Sequence, residues 1–60
     1  MPYYVEEQED GTWDVYAAGA NGDSFSGISS KSAAVLTAKG IKNCNGTVIV
    51  RYLDGTEELA

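Results

Sequence analysis

Acidic side chains are concentrated near the start of the chain, and they are the first residues that could carry chemistry. The run EEQEDGTWDVY contains Glu6, Glu7, Glu9 and Asp10. Such a cluster could hold a hard cation or pair a general acid with a general base. A calcium loop, however, needs alternating oxygen ligands and a glutamate at its twelfth position, and this run lacks both. We therefore expect these acids to lie at a solvated hairpin end.

Other residue types that support catalysis or cofactor binding are missing or isolated. The chain has no histidine, which is the commonest general base and metal ligand. Cys44 is the single cysteine, so it lacks a partner for zinc or redox chemistry and is expected to pack as a small apolar residue. The Asp-Gly-Thr at 10–12 and 54–56 is similar to part of a phosphatase loop, but Gln8 and Tyr52 stand where the nucleophilic aspartate should be. These features predict a protein that is not an enzyme and binds no cofactor or metal.

Length and charge limit the remaining functions. Nine acidic and four basic side chains give a net charge of −5, which disfavours binding to a phosphate backbone and favours solubility or a basic partner. Residues 1–60 suffice for one small domain, whose core supplies only about 3–5 kcal/mol. No apolar run is long enough to cross a membrane. Without a signal peptide, and with an unpaired cysteine, we expect a cytoplasmic location.

Alternating apolar and polar residues predict strands separated by turn signals. The strands are expected at 3–8, 12–18, 23–27, 47–53 and 56–59, the third being a weak edge strand. Asp10-Gly11 and Asp54-Gly55 are hairpin signals, and Gly19-Ala20-Asn21-Gly22 is a further turn.

The segment KSAAVLTAKGIKN, residues 31–43, predicts the one helix. Its apolar stripe recurs at helical spacing and consists of Ala34, Val35, Ala38 and Ile41. Ser29 and Ser30 are natural N-cap residues, although no glutamate or glutamine follows to complete a capping box. Gly40 weakens the helix by about 1 kcal/mol relative to alanine.

This order of elements, β-β-(β)-α-β-β, predicts an α+β two-layer sandwich. If each turn is a hairpin, the first three strands alternate in direction. The helix then returns the chain so that the fourth strand runs parallel to the first. We expect a mainly antiparallel sheet in the order 3-2-1-4-5, with the helix across one face.

Alternation also assigns side chains to the two faces of the sheet. The core facing the helix is expected to contain Tyr3, Val5, Trp13, Val15, Phe25, Ala34, Val35, Ala38, Ile41, Val48 and Val50. The other face has no second layer and is expected to show Tyr4, Glu6, Asp14, Tyr16, Ile49 and Arg51. Contiguous exposed apolar residues mark partner surfaces, whereas scattered ones are ordinary. Leu36 falls opposite the apolar stripe of the helix, where it would cover a sheet edge or contact a partner.

The segments PYYV, DGTWDVY, SSKSAA and NGTVIVRYLDGT occur in this order, and together they resemble a family of small bacterial domains of unknown function. That family has a Gly-x-Trp-x-Val second strand, a helix opened by Ser/Thr-Lys, and a closing Gly-x-x-x-Val strand with an Asp-Gly hairpin. The matching positions are Gly11, Trp13, Val15, Lys31, Ala34, Gly46, Val50, Asp54 and Gly55. The segment ANGDSFSGISSKSAA is also similar to the YegP-like repeat family. The resemblance implies the fold and supplies no activity or catalytic residue.

Two functional hypotheses remain from the sequence. The leading one is a non-enzymatic protein-interaction module, from a small bacterial or phage protein, that acts through its open sheet face on a protein partner or as a homodimer. Its partner-binding residues are expected to be Tyr4, Tyr16, Ile49, Arg51 and Leu36. The alternative is an acidic mimic of nucleic acid that inhibits a basic, nucleic-acid-binding protein. Its acidic surface would comprise Glu6, Glu7, Glu9, Asp10 and Asp14.

Overall fold

The computed structural model of the protein describes residues 1–19 and 22–60. Its elements are β1 (Tyr3–Glu7), β2 (Trp13–Ala17), β3 (Ser24–Ile28), α1 (Lys31–Lys39), β4 (Val48–Arg51) and β5 (Glu57–Leu59). Each strand begins and ends within two residues of its predicted bounds. Of the predicted turn at 19–22, Ala20 and Asn21 lie outside the described residues.

The five strands form one sheet in the order β3-β2-β1-β4-β5. β1 pairs with β4 in parallel, and the other three pairs are antiparallel. The predicted α+β architecture and strand order are therefore confirmed. The helix between β3 and β4 is what brings β4 back beside β1 in the same direction.

The two Asp-Gly hairpins have the same geometry. In the first, the Gln8 amide donates to the Thr12 carbonyl at 2.9 Å, and Gly11 has a φ of 86°. This left-handed conformation is one that glycine adopts without the steric cost of a Cβ. The arrangement recurs at residues 52–56, where the glycine has a φ of 88°. Because β1 and β4 are parallel neighbours, both hairpins lie side by side at one end of the sheet.

The core lies between the sheet and α1. Its buried residues are Tyr3, Val5, Val15, Ala34, Ala38, Ile41, Val48 and Val50. Trp13 and Val35, also predicted for the core, are half-buried and pack against this cluster. Alternation along β1, β2 and β4 thus predicts the inward residues of the central strands.

Phe25 was predicted in the core, and this prediction is wrong. The side chain is 45% exposed, because β3 is an edge strand and α1 lies mainly over the central strands. A bulge shifts the β2–β3 register between Trp13 and Val15, where Gly27 has a φ of 72°. The bulge places Ile28 opposite Trp13, and Ile28 packs against the core in place of Phe25.

The helix begins as predicted but ends early. Ser30 is the N-cap, with its Oγ accepting the Ala33 amide at 3.1 Å. The predicted end at Asn43 is wrong, because α1 ends at Lys39 and Gly40 is its C-cap. The following residues continue as turns that still bury Ile41 in the core. No helix among the described residues has the length and apolarity to cross a bilayer.

Tyr3 joins three separate parts of the chain at one end of the core. Its hydroxyl is fully enclosed, donates to Asn43 Oδ1 at 2.6 Å and accepts the Asp23 amide at 3.1 Å. Gly22 approaches so closely that a Cβ placed there would lie 2.8 Å from this hydroxyl and 2.0 Å from Ala17 Cβ. These contacts close the β2–β3 connection and the segment after α1 onto β1.

Candidate functional site

The sheet face away from α1 carries two rows of side chains that cross the strands. Directly paired residues on neighbouring strands share a face, so the register aligns their side chains across the sheet. The first row, here called the apolar row, is Tyr16, Tyr4, Ile49 and Leu59. The second row, here called the charged row, is Asp14, Glu6, Arg51 and Glu57. The open face is therefore divided into an apolar band and an adjoining ionic band.

The two tyrosines of the apolar row form a stacked pair. The ring centroids of Tyr4 and Tyr16 are 5.4 Å apart, with 27° between the ring planes. The guanidinium carbon of Arg51 lies 3.9 Å from the Tyr4 ring centroid. Aromatic pairs and cation–π contacts each contribute about 0.5–1.5 kcal/mol. The stack therefore restrains both rings on a face that no other element of residues 1–19 and 22–60 covers.

A chain of hydrogen bonds ties the stack to the charged row. Tyr16 donates its hydroxyl proton to Glu6 Oε2 at 3.1 Å and accepts from Arg51 Nη1 at 2.9 Å. Arg51 Nε also donates to Glu57 Oε2 at 2.5 Å. Burial raises the pKa of Tyr16 above its ordinary value, and the hydrogen bond to Glu57 followed by that to Tyr16 raises the pKa of Arg51. Tyr16 is thus a neutral phenol held between a carboxylate and a guanidinium.

The structure brings together four of the five predicted partner-binding residues. Tyr4, Tyr16, Ile49 and Arg51 are all half-buried and adjoin one another on the open face. Leu36 is separate from them, because it lies on α1, which covers the opposite face, and its side chain is 73% exposed. Whether any of the five contacts a partner stays a prediction.

Leu59 is the residue of this face that sequence reasoning missed. It pairs with Ile49 at the end of the apolar row and is 77% exposed. The signal for it was present, since a hairpin centred on Asp54-Gly55 sets the register of β5 against β4. That register places Leu59 on the same face as Ile49.

The five predicted acidic residues also come together, in a groove beside the first hairpin. The groove has a volume of about 770 Å³ and is open to solvent. Its lining residues are Glu6, Glu7, Gln8, Glu9, Asp10, Thr12, Asp14, Ser26, Gly27, Tyr52 and Leu53. No lysine or arginine is among them. This acidic groove shares Glu6 and Asp14 with the charged row, so the two surfaces are continuous.

Some of these carboxylates stabilise backbone turns. Asp10 Oδ1 accepts the Thr12 hydroxyl at 2.6 Å and the Thr12 amide at 3.0 Å, and these bonds lower the pKa of Asp10. Glu7 Oε1 accepts the Leu53 amide at 3.1 Å, which joins the two hairpins. Within the described residues, no group of three or more His, Cys, Asp or Glu side chains is placed to hold a metal ion. The groove offers negative charge without the converging oxygens of a cation site.

A second polar cluster, which the sequence did not predict, joins the start of α1 to β5. Lys31 Nζ lies 3.0 Å from the Tyr52 hydroxyl and 3.4 Å from Glu58 Oε1, and the Tyr52 hydroxyl also hydrogen-bonds to Glu58. The Tyr52 ring meets Trp13 edge-on, with 6.0 Å between centroids. The hydrogen bond from Lys31 to Tyr52 is the main cause that raises the pKa of Lys31. These contacts tie the start of α1 to Tyr52 and β5.

Cys44, the remaining candidate for chemistry, is half-buried and packs against the core. Its Sγ lies 4.0 Å from the Thr47 carbonyl oxygen. A half-buried thiol in this position contributes apolar contact to the core.

Comparisons of this chain with protein-family models, with curated proteins and with solved structures found no significant match. The resemblance to the family with a Gly-x-Trp-x-Val strand, and to YegP-like repeats, therefore stays a prediction. Any functional conclusion depends on the geometry of the open face and of the acidic groove.

Proposed function

We propose that this chain is a non-enzymatic protein-interaction module that binds its partner through the open sheet face. The observation that carries the proposal is the stacked pair of Tyr4 and Tyr16, with Arg51 over the first ring, on a face without a second layer. Tyrosine and arginine are enriched among the residues that dominate binding energy at protein interfaces. With this role we propose a cytoplasmic location and no catalytic activity or cofactor.

The conformational restraint of the side chains around this stacked pair supports a binding role. Immobilising a flexible side chain at an interface costs about 0.5–1.5 kcal/mol. The hydrogen bonds from Tyr16 to Glu6 and from Arg51 to Glu57 restrain these four side chains before any partner arrives. Less free energy is then lost when the partner binds. The ion pair between Arg51 and Glu57 is partly exposed, so solvent screens it and it adds little to folding by itself.

Affinity capture from the source organism, with mass-spectrometric identification, tests the proposal. The wild-type chain should retain a specific protein that Tyr16→Asp and Leu59→Asp both lose. Leu59 is largely exposed, so its substitution leaves the fold intact, which circular dichroism would check. Leu36→Asp is the matched control, because it adds the same charge on the opposite layer. Loss of the partner with Leu36→Asp alone would contradict binding through the open face.

A homodimer through the same face is one form of this proposal. It would cover the apolar row with a second copy of itself. Sedimentation equilibrium at micromolar concentration would then give twice the monomer mass for the wild-type chain and the monomer mass for Tyr16→Asp. A wild-type monomer would remove the homodimer and leave binding to another protein.

The acidic groove favours a second candidate function, an acidic mimic of nucleic acid. All five predicted carboxylates line this groove, and no basic side chain lines it. A basic groove on a nucleic-acid-binding protein would be its target. Binding of this kind should weaken steeply as salt is added. Added ions screen the attraction between exposed charges, and the screening length is about 10 Å at 0.1 M salt and shorter above it. Capture repeated at low and high salt separates the two functions, since an apolar interface persists in high salt.

A further inference from the structure

The two flanks of the apolar row differ in charge. On one flank lies the charged row, with three carboxylates and one guanidinium. On the other flank, the residues two positions away from Tyr4, Tyr16 and Ile49 are Pro2, Ala18 and Thr47, and none of these three is charged. The strand ladder continues through them, since the Ala18 amide donates to the Pro2 carbonyl and the Tyr3 amide to the Thr47 carbonyl. A complementary ligand would therefore carry charge on one side only.

The sign of that charge is positive. Arg51 is already engaged by Glu57 and Tyr16, so the charged row presents surplus negative charge. Asp14 and Glu6 extend this charge into the acidic groove. Lysine or arginine above this flank would be attracted, whereas glutamate or aspartate would be repelled.

The shape of the apolar row suits a helix. The row crosses four neighbouring strands, which at about 4.8 Å per strand gives a length of about 14 Å. An α-helix advances about 5.4 Å per turn, so nearly three turns cover the row from Tyr16 to Leu59. Apolar residues at helical spacing i, i+4 and i+7 would then each meet one or two members of the row.

A second copy of the chain fits this face less well. Five strands of about five residues each have a projected area of roughly 400 Å², which is small beside the about 800 Å² of accessible surface that each partner buries in a standard-size interface. Two copies meeting face to face would place the negatively charged row of each against either the same row of the other copy, which is unfavourable, or its uncharged flank, which supplies no positive charge. A short basic segment needs less area and brings positive charge to the charged row.

We propose that the open face receives an amphipathic α-helix of a partner protein, with an apolar stripe on the apolar row and lysine or arginine along the flank above the charged row. The inference rests on the proposed interaction function and specifies the chemistry of the partner. The helix lies across the strands, and its basic flank is directed toward the acidic groove.

Nuclear magnetic resonance titration with synthetic helical peptides tests this inference. The probe peptide carries a leucine stripe and a lysine flank, and its matched control has glutamate in place of each lysine. Titration up to about 1 mM peptide detects dissociation constants as weak as the millimolar range. The lysine peptide should shift the amide resonances of Tyr4, Tyr16, Ile49 and Leu59. The glutamate peptide, and the Leu59→Asp variant with the lysine peptide, should bind at least about tenfold more weakly. In high salt the lysine peptide should still bind through its leucine stripe, while its advantage over the glutamate peptide should shrink.

Three results would overturn the inference. Shifts confined to Glu7 and Glu9 and abolished by salt would mean a ligand held by charge alone. Shifts of the apolar-row amides that depend on protein concentration without peptide would identify a second copy as the occupant. No shift with either peptide would exclude a helix, and the capture experiment would then decide the broader question. Partner capture that still depends on Tyr16 would leave the interaction function standing, whereas no such capture would remove both.

Discussion

Tyr3→Phe isolates the contribution of one enclosed hydroxyl to the stability of the fold. The hydroxyl makes two hydrogen bonds, to Asn43 Oδ1 and to the Asp23 amide, from a side chain with no exposed surface. Each hydrogen bond contributes about 0.5–1.5 kcal/mol net. Asn43 and Asp23 are exposed and regain water when the hydroxyl is lost, so we expect a loss of about 1–2 kcal/mol. That is a large share of the roughly 3–5 kcal/mol available to so small a core.

Urea unfolding followed by circular dichroism measures this loss. With a slope near 1 kcal/mol per molar urea, the midpoint should fall by about 1–2 M, and Tm should fall by about 4–8 °C for each kcal/mol. Tyr4→Phe is the matched control on the next residue of the same strand. Within the described part of the chain, the Tyr4 hydroxyl has no hydrogen bond, so its removal should change the midpoint little. Equal midpoints for Tyr3→Phe and the wild type, or equal losses in the two variants, would refute the reasoning.

Two further predictions concern the space available at two glycines and the loss of folding stability at acid pH. Gly22→Ala should destabilise the fold by about 1–3 kcal/mol through overpacking. At Gly40, with a φ of −82°, an added Cβ meets nothing closer than 3.4 Å, so Gly40→Ala should stabilise the fold by about 0.4–1 kcal/mol. Thermal melts of both variants check this contrast, and equal Tm values would count against it. The pKa values of Asp10 and Asp54 are lowered from 3.8 by hydrogen bonds from the threonine two residues on, so their stabilisation is complete above that value and is lost as pH falls below it. The double variant Asp10→Asn, Asp54→Asn should flatten the dependence of the urea midpoint on pH between about 5 and 2, and an unchanged slope would contradict this assignment.

The sheet order could be predicted because each turn is specified locally. Asp10-Gly11 and Asp54-Gly55 fix two hairpins in their register, and the period of two along β1, β2 and β4 fixes which side chains face inward. β2, β3 and α1 lie between β1 and β4, and their successive reversals of direction make β4 parallel to β1. None of these steps requires knowledge of contacts between distant residues.

The errors lie where a distant contact decides the outcome. Phe25 alternates correctly with its neighbours, but β3 lies at the sheet edge and the bulge at Gly27 brings Ile28 toward the core instead. The apolar period continues to Ile41, but Gly40 caps α1 before it, and the burial of Ile41 does not require helical backbone. A hydrophobic period records which side chains are buried and is less informative about where an element ends.

In the candidate site too, strand register predicts some features, and contacts between separate elements decide the others. Alternation predicted that Tyr4, Tyr16, Ile49 and Arg51 share a face, because that depends only on strand register. The contact of Arg51 with Glu57 follows from the same hairpin register that pairs Ile49 with Leu59. The ion pair between Lys31 and Glu58 joins α1 to β5, and its partners could not be chosen from a sequence with nine acids for four bases.

The consecutive residues Tyr3 and Tyr4 allow the stability of the fold to be tested separately from the proposed binding. Tyr3 has no exposed surface and holds two loops, whereas Tyr4 stacks on Tyr16 at the open face. Because successive side chains of a strand alternate between faces, substitutions at the two positions should have separable effects. A non-conservative substitution at Tyr3 should lower the free energy of unfolding, and it should reduce partner capture only in proportion to the folded fraction. At Tyr4, capture should fall while the protein remains folded, so comparing both readouts for both positions distinguishes a surface selected for binding from one that only completes the sheet.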